Sequence, residues 1–323
     1  MEYTTLGHTG LQVSRLCLGT MQFGWSVDEV DSQRVLTAAY EAGINFIDTA
    51  DIYSRWAEGN EGGVAETIIG NWLHSQGIPR DQVVLATKVR GQMGDGVNDA
   101  GLSRYHIMNS IDGSLQRLGV DYIDIYQTHS VDPQTPIDET LRALDDLIHS
   151  GKVRYIGCSN YPAWRLMEAL WISDKLNLHA FVSVQPNYSL VYRQSFEQET
   201  MAVCKKYGIG VIPYSPLAGG FLSGKYIRGQ DLPDSVRSRA VQERYMTDQN
   251  WRTLKRVRGI AEHYQASVSQ VSLAWLMNNP VITAPIIGPR TLAQLEDNIG
   301  ALDVALSGKE ISDLDKISHW NQT

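Results

Sequence analysis

Short apolar runs rich in Val and Ile alternate along this chain with longer stretches in which apolar residues recur at helical spacing. Runs of this length indicate buried β-strands, and the alternation predicts parallel strands joined by helices. Eight runs fit this description, at residues 14–18, 44–47, 83–87, 122–126, 153–157, 181–184, 210–213 and 283–287. Helices are predicted at residues 31–42, 63–75, 103–118, 137–150, 162–176, 195–207, 251–278 and 307–320.

Eight strand and helix pairs without a second domain's worth of residues predict one (β/α)₈ barrel domain over residues 1–323. The rival is a doubly wound sheet, but the first turn after a strand, residues 18–24, has no G-x-G-x-x-G sequence opening a helix. Residues 3–13 are predicted to form a β-hairpin that closes the bottom of the barrel. Residues 218–252 carry no strand pattern and are expected to form a large loop over the site, after the seventh strand.

The composition of the chain makes several kinds of partner and cellular location improbable. The net charge of −8 argues against a positively charged binding surface, so we expect neither nucleic acid nor a membrane as a partner. Three scattered cysteines, Cys17, Cys158 and Cys204, suggest core residues in a reducing compartment rather than disulfides or a metal site. The first residues lack a signal-peptide pattern, and no apolar run approaches the ~18 residues of a membrane span, so a cytoplasmic protein is expected.

Polar residues follow the predicted strands where each strand ends. Because the carboxyl ends of barrel strands converge on one mouth, these residues should become neighbours. Taken singly, an Asp here is usually a helix cap, a Lys is usually solvated and a His is usually structural. Independent caps have no reason to supply a complementary acid, base and cation, so the set points to proton transfer. Its members are Asp48, Tyr53, Lys88, His129, Ser159, Asn160, Gln185 and Tyr214.

Several motifs in order along nearly the whole chain resemble the aldo-keto reductases. Residues 43–53 resemble the signature around that family's catalytic Asp and Tyr. The others are Lys88 after Ala86-Thr87, Gln127-Thr128-His129, residues 157–160, Gln185-Pro186-Asn187-Tyr188, residues 214–220, and residues 287–291 with Gln294, Asp297 and Asn298 downstream. Within the family, the chain is most similar to the bacterial branch that also includes the potassium-channel β subunits.

The resemblance implies a catalytic tetrad of Asp48, Tyr53, Lys88 and His129. Reducing a carbonyl leaves an alkoxide that needs a proton, and a free Tyr with a pKa of ~10 is a sluggish donor at neutral pH. We therefore expect Lys88 to lower the pKa of Tyr53 and Asp48 to hold Lys88 by a charge-assisted hydrogen bond. His129 is expected to orient the substrate oxygen.

The resemblance also implies an NADP(H) site. Ser159, Asn160 and Gln185 would contact the nicotinamide carboxamide, and Tyr214 would stack on the ring. Arg290 is the expected partner of an adenosine 2′-phosphate, because its planar fork suits a phosphate dianion. The remaining expected cofactor contacts are Gly19, Thr20, Met21, Asp48, Ser215, Pro216, Leu217, Ala218, Gly219, Lys225, Gly288, Gln294, Asp297 and Asn298.

The substrate is expected to meet Tyr53, His129, Trp25 and Trp56, with residues 90–100 at the border of an apolar pocket. Aldehydes, dicarbonyls and sugar carbonyls all stay open as substrates, and neither a metal nor an oligomeric state is indicated. Two other functions are considered. One is a non-catalytic nicotinamide-binding regulatory subunit, against which His129 argues because the channel β subunits substitute this position. The other is a barrel aldolase that uses Lys88 as a Schiff-base amine.

Overall fold

A computed structural model describes residues 1–321 and contains ten β-strands within them. The strands are β1 (Tyr3–Thr5), β2 (Gln12–Ser14), β3 (Cys17–Gly19), β4 (Phe46–Asp48), β5 (Val84–Val89), β6 (Ile123–Thr128), β7 (Val153–Ser159), β8 (Ser183–Gln185), β9 (Gly210–Val211) and β10 (Ile286–Ile287). The α-helices are α1 (Glu29–Glu41), α2 (Val64–Gln76), α3 (Arg104–Leu118), α4 (Ile137–His149), α5 (Ala163–Leu176), α6 (Gln194–Glu197), α7 (Thr200–Tyr207), α8 (Ser238–Tyr245), α9 (Asp248–Tyr264), α10 (Val268–Asn278), α11 (Leu292–Ile299) and α12 (Gly308–Ile317).

Eight of the strands, β3 to β10, form a parallel barrel. Their order is β10-β3-β4-β5-β6-β7-β8-β9, so strands β3 to β9 pair with their neighbours in sequence and β10 returns to pair with β3. The two ends of this order also meet, because Val211 bridges Ile282 in parallel and the Ile286 amide donates to the Pro213 carbonyl. The predicted (β/α)₈ barrel is therefore confirmed, and the doubly wound sheet is wrong.

The first two strands form the predicted hairpin at the bottom of the barrel. β1 and β2 pair antiparallel, and Leu6 between them is fully buried. Gly7 has φ +54°, and a Cβ built on it would lie 2.6 Å from the Gly210 amide and 2.8 Å from the Val182 carbonyl. Both groups belong to the amino ends of barrel strands, so the tip of the hairpin closes that end of the barrel.

Three predicted elements are each divided in two. The strand predicted at residues 14–18 is the end of β2 and the start of β3. Arg15 separates them, and its guanidinium donates to the carbonyls of Met277, Ile282 and Thr283. The helix predicted at residues 251–278 is α9 and α10, because Gln265 takes φ +52° and Ser267 starts a new helix with a capping box.

The third divided element is the helix predicted at residues 195–207, which is α6 followed by α7. The predicted loop at residues 218–252 does lie between β9 and the outer helices, but it contains a 3₁₀ segment, Ala218–Ser223, and helix α8. Cys17, Cys158 and Cys204 are free and buried, as predicted. Within residues 1–321, no helix combines the length and apolar character needed to cross a bilayer.

Candidate active site

The barrel interior changes from apolar to polar toward its carboxyl end. Successive inward positions along a strand are two residues apart, and the last inward position of several strands is polar. Phe46 is followed by Asp48, Ala86 by Lys88, Ile125 by Gln127, Ser183 by Gln185, and Ile212 by Tyr214. The two-residue alternation along the strands thus places these polar side chains in one layer above the apolar core of the barrel.

Lys88 lies at the centre of this layer and is fully buried. Its Nζ is 2.6 Å from Asp48 Oδ2, 2.8 Å from the Thr49 carbonyl and 2.9 Å from the Tyr53 hydroxyl. These three oxygens use the three donors of an ammonium group. Burial opposes the charge on Lys88, but Asp48 and Tyr53 outweigh it and raise its pKa, so Lys88 is an ammonium ion at neutral pH.

The second carboxylate oxygen of Asp48 is held by two amides. Gln127 Nε2 lies 3.1 Å and Gln185 Nε2 lies 2.8 Å from Asp48 Oδ1. The sequence reasoning assigned Gln185 to a cofactor and gave Gln127 no role. A glutamine two residues after the inward-facing Ile125 of β6 was the available signal, since a buried amide needs polar partners.

Tyr53 reaches Lys88 from the loop that follows β4. The loop turns sharply, since the Tyr53 amide donates to the Ala50 carbonyl and Ser54 has φ +71°. The Ser54 hydroxyl donates to the Phe23 carbonyl, which fastens this turn to the first βα loop. Burial raises the pKa of Tyr53 to about 12, although Lys88 lowers it. Lys88 thus acts on the pKa in the expected direction, but burial exceeds the effect of the cation and the net change is upward.

His129 follows β6 and lies beside Tyr53. The two ring centroids are 5.9 Å apart and the rings meet edge to face. Burial, Lys88 and Arg90 lower the pKa of His129 to about 3, so the imidazole is neutral over the physiological range. A neutral imidazole in this position can donate one hydrogen bond without bringing a second charge to Tyr53.

Two tryptophans extend the wall beyond Tyr53. Trp56 meets Tyr53 at a centroid distance of 6.3 Å and Trp25 at 5.7 Å. Trp56 is still 47% exposed. Asn60 Nδ2 donates to the carbonyls of Gly24 and Ser54, so the glycine-rich loop carrying Trp56 is tied to the first βα loop. These contacts make an aromatic surface with one open face, and its role as the wall of a substrate pocket stays a prediction.

The ends of β7, β8 and β9 share one hydrogen-bond chain. The Tyr214 hydroxyl donates to Asn160 Oδ1, at 2.9 Å, and Asn160 Nδ2 donates to the His129 carbonyl, at 3.0 Å. Ser159 Oγ donates to the Gln185 carbonyl. Asn160 has φ +59°, a conformation that Asn tolerates better than most residues. This chain fixes the Tyr214 ring relative to His129.

The segment after Tyr214 has an unusual backbone. Ser215 has φ +53° and Ala218 has φ +50°, and Gly219 also has a positive φ. The Ala218 amide donates to the Ser215 carbonyl, which closes a turn over Pro216 and Leu217. Two non-glycine residues in the left-handed region within four positions are uncommon. Such strain clusters at ligand-binding segments.

Three cations gather beyond this turn. Burial lowers the pKa of Lys225, and Arg290 and Arg237 lower it further. Burial and then Arg290 also lower the pKa of Arg237. None of the three forms an ion pair with a carboxylate of residues 1–321, and the Arg237 guanidinium lies 5.7 Å from the Trp25 ring centre. Arg237 was missed from the sequence because the loop that carries it has no pattern to indicate its position.

The remaining predicted residues lie around the first and last loops of the barrel. Thr20 Oγ1 donates to the Asp48 carbonyl, and Gln22 Nε2 bridges the Gly19 and Pro289 carbonyls, which joins residues 19–21 to residues 288–290. Thr291 caps α11. On that helix the predicted residues differ in exposure. Gln294 is exposed and accepts from the Arg290 amide, Asp297 is half-buried, and Asn298 is buried at 5% exposure.

Comparisons with known proteins agree with this geometry. A sequence model described as the Aldo/keto reductase family matches residues 15–319. The chain is 42% identical to an uncharacterized oxidoreductase, YrpG, of Bacillus subtilis, over 96% of this chain and 94% of that protein. It is 36% identical to a probable voltage-gated potassium channel subunit beta of Oryza sativa, over 94% and 92%. It is 34% identical to versiconal hemiacetal acetate reductase of Aspergillus parasiticus, over 98% and 96%. The barrel, the order of the motifs and these matches show that the chain belongs to the aldo/keto reductase family. Its relatives include proteins named as oxidoreductases.

Proposed function

We propose that this protein reduces aldehydes and ketones to alcohols with NADPH, with Tyr53 as the general acid. The observation that carries the proposal is the contact of a buried, charged Lys88 with both Asp48 and the Tyr53 hydroxyl. A Lys held between a carboxylate and a phenol has no structural need for the phenol. The Lys88 ammonium does, however, stabilise negative charge on the Tyr53 oxygen when the phenol gives up its proton.

The protein side of the reaction follows from the four side chains. A carbonyl group that enters beside Trp25 and Trp56 would accept hydrogen bonds from the Tyr53 hydroxyl and from neutral His129. Both donors polarise the carbonyl, and Tyr53 gives up its proton as negative charge develops on the substrate oxygen. The Lys88 ammonium stabilises the resulting phenolate, and Asp48 keeps the ammonium in place. In oxidation of the alcohol, the same groups act in reverse.

The donor set beyond the tetrad fits a phosphorylated nicotinamide dinucleotide. The bound cofactor would supply the hydride. The Tyr214 ring, held by Asn160, offers a flat surface for an aromatic ring. Lys225, Arg237 and Arg290 repel one another, and a phosphate group would relieve that repulsion. Arg290, at the start of the segment that leads into α11, is our assignment for the 2′-phosphate of NADP(H).

The two alternative functions are less well supported. A Schiff-base lysine needs an unprotonated amine, whereas the pKa of Lys88 is raised and all three of its donors are used. A purely regulatory role, suggested by the name of the rice relative, would not require His129 next to Tyr53. We therefore regard carbonyl reduction as better supported than either alternative function.

Loss of NADPH absorbance with a panel of aromatic, aliphatic and sugar carbonyls tests the proposal. Tyr53→Phe is expected to lower turnover at least about a hundredfold, the lower end of what general acid–base catalysis contributes, and to leave NADPH affinity within about threefold. Tyr3→Phe, an exposed tyrosine that bonds the Gly43 carbonyl, is the matched control. Retained turnover in Tyr53→Phe would refute the role of Tyr53. No NADPH consumption by the wild type on any carbonyl would favour the regulatory role.

A further inference from the structure

Three side chains able to ligate a metal converge near the closed end of the barrel, away from the proposed active site. Asp145 and His149 lie one turn apart on α4, and His179 lies in the connection between α5 and β8. Their ligand atoms all lie within 4.8 Å of one another. Residues four apart on a helix share one face, so the first two already form a chelating pair.

The separations of the three ligand atoms are close enough for one ion to bind them after small side-chain movements. His179 Nδ1 is 2.7 Å from Asp145 Oδ1, and His149 Nδ1 is 3.3 Å from Asp145 Oδ2. Two ligand atoms of a tetrahedral zinc ion, each at about 2.0–2.1 Å from it, lie about 3.3 Å apart. The two imidazole centroids are 5.3 Å apart, with 69° between the rings, so both Nδ1 atoms face the carboxylate from different sides.

We propose that Asp145, His149 and His179 bind one divalent transition-metal ion, with Zn²⁺ the best match to the nitrogen and oxygen ligands. The ion would bind the Nδ1 lone pair of each imidazole, which requires that nitrogen to carry no proton. The Asp145 side chain is only 10% exposed, whereas those of His149 and His179 are 67% and 50% exposed. Solvent therefore supplies the remaining ligand, and the carboxylate anchors the site.

A purely structural role for Asp145 accounts for only part of this arrangement. Its Oδ1 accepts from the His179 backbone amide at 2.8 Å, which fixes the connection to β8. That bond needs neither imidazole. His149 Nδ1 also lies 3.0 Å from the Asp145 main-chain carbonyl, and this contact keeps the nitrogen on the side of the ring near the Asp145 carboxylate. The existing bonds hold the ligands close to the geometry that a metal needs.

The position of the cluster indicates what a bound ion would do. β8 runs from Ser183 near the hairpin to Gln185 at the mouth, so His179 lies before its amino end. The ion would join the end of α4 to the connection that follows α5. His179 also lines a cleft of about 1110 Å³ that gives access from solvent. The site would stabilise the barrel without taking part in proton transfer at Tyr53.

Titration of Zn²⁺ into the full-length protein, stripped with EDTA and followed by calorimetry, tests the site. We expect one ion per chain, and at least about a tenfold loss of affinity in His149→Ala and in His179→Ala. Zn²⁺ should also raise the melting temperature of the wild type and not that of either variant. His74→Ala, an exposed histidine on α2, is the matched control and should bind like the wild type.

Folding of the variants is checked separately. His149→Ala leaves the bonds between Asp145 and His179 in place, so its circular dichroism spectrum in EDTA should match the wild type. Absence of saturable binding by the wild type would overturn the proposal. Binding that survives both substitutions would overturn it equally, because the ion would then lie elsewhere.

Discussion

Lys88 and Asp48 form an ion pair that is closed to solvent, with Nζ 2.6 Å from Oδ2 and side chains 0% and 2% exposed. Exposed pairs on the outer helices, such as Arg239 with Glu243, are of a different kind. A buried pair can be neutral for stability as a whole, yet removing one partner leaves an uncompensated charge in the core. We therefore expect the pair that we assign to catalysis to affect stability as well.

Lys88→Met should destabilise the protein by about 3–5 kcal/mol, because Asp48 keeps its charge without a counterion. The double variant Asp48→Asn with Lys88→Met should regain part of that loss, although neither variant should catalyse reduction. Urea unfolding at neutral pH measures both. Arg239→Met, which breaks the exposed pair, should cost less than about 1 kcal/mol. A double variant no more stable than Lys88→Met would contradict the coupling.

The pH profile of reduction should be flat between about pH 6 and pH 9 for an uncharged carbonyl substrate. His129, with a pKa lowered to about 3, stays neutral there, and Tyr53, with a pKa raised to about 12, keeps its proton. A decline is expected only as the pH approaches the value for Tyr53, because reduction needs the phenol. His129→Gln keeps a neutral donor and should leave the shape of the profile unchanged. A step near pH 6.5 that disappears in this variant would show that His129 titrates.

Asp51 is fully buried, and neither of its carboxylate oxygens has a hydrogen-bond partner within residues 1–321. Burial, and then the nearby Glu66, raise its pKa well above 3.8. The folded state thus holds a proton that the unfolded state releases, so stability falls as pH rises from about 4 through the folded pKa. One such proton changes the unfolding free energy by about 1.4 kcal/mol per pH unit.

Asp51→Asn removes this dependence. The variant should match the wild type near pH 4 and be the more stable of the two at pH 8, as measured by urea unfolding at each pH. Asp231→Asn, on an exposed loop, should change neither value. A variant that is less stable at pH 8 would mean that Asp51 is ionised in the folded protein.

Arg290→Ala should raise KM for NADPH at least about tenfold and leave KM for NADH nearly unchanged, since a charge-assisted contact to the 2′-phosphate is worth about 1.5–3 kcal/mol. Initial rates measured with NADPH and with NADH give the ratio of the two KM values. Arg239→Ala, at a solvent-exposed arginine on α8, serves as the control. An unchanged ratio in Arg290→Ala would remove the basis for assigning NADP(H).

Much of the site could be predicted because side chains alternate between the two faces of a strand, with a period of two residues. Asp48 and Lys88 end strands that read as buried runs, and parallel strands deliver their carboxyl ends to the same rim whatever the loops do. The contacts of Asp48 with Gln127 and Gln185 could not be predicted, because those partners lie 79 and 137 residues away. Pairing at such separations depends on barrel curvature, which no local pattern describes.

The break between α9 and α10 has a similar cause. Residues 251–278 have continuous helical periodicity, and only the left-handed backbone at Gln265 and the new cap at Ser267 reveal two helices. The capping sequence Ser267 to Gln270 was present in the chain, but a cap inside a periodic stretch reads equally well as helix interior.

The sequence by itself determined the barrel, the order of its strands and the identity of the polar groups at their ends, because side-chain alternation and chain direction are local properties. Tertiary structure alone decided how deeply Tyr53, Lys88 and His129 are buried. That depth raised the pKa of Tyr53 in spite of Lys88 and made His129 neutral. Ionisation depends on how much water and which charges surround a group in three dimensions, and only the packed molecule defines those surroundings.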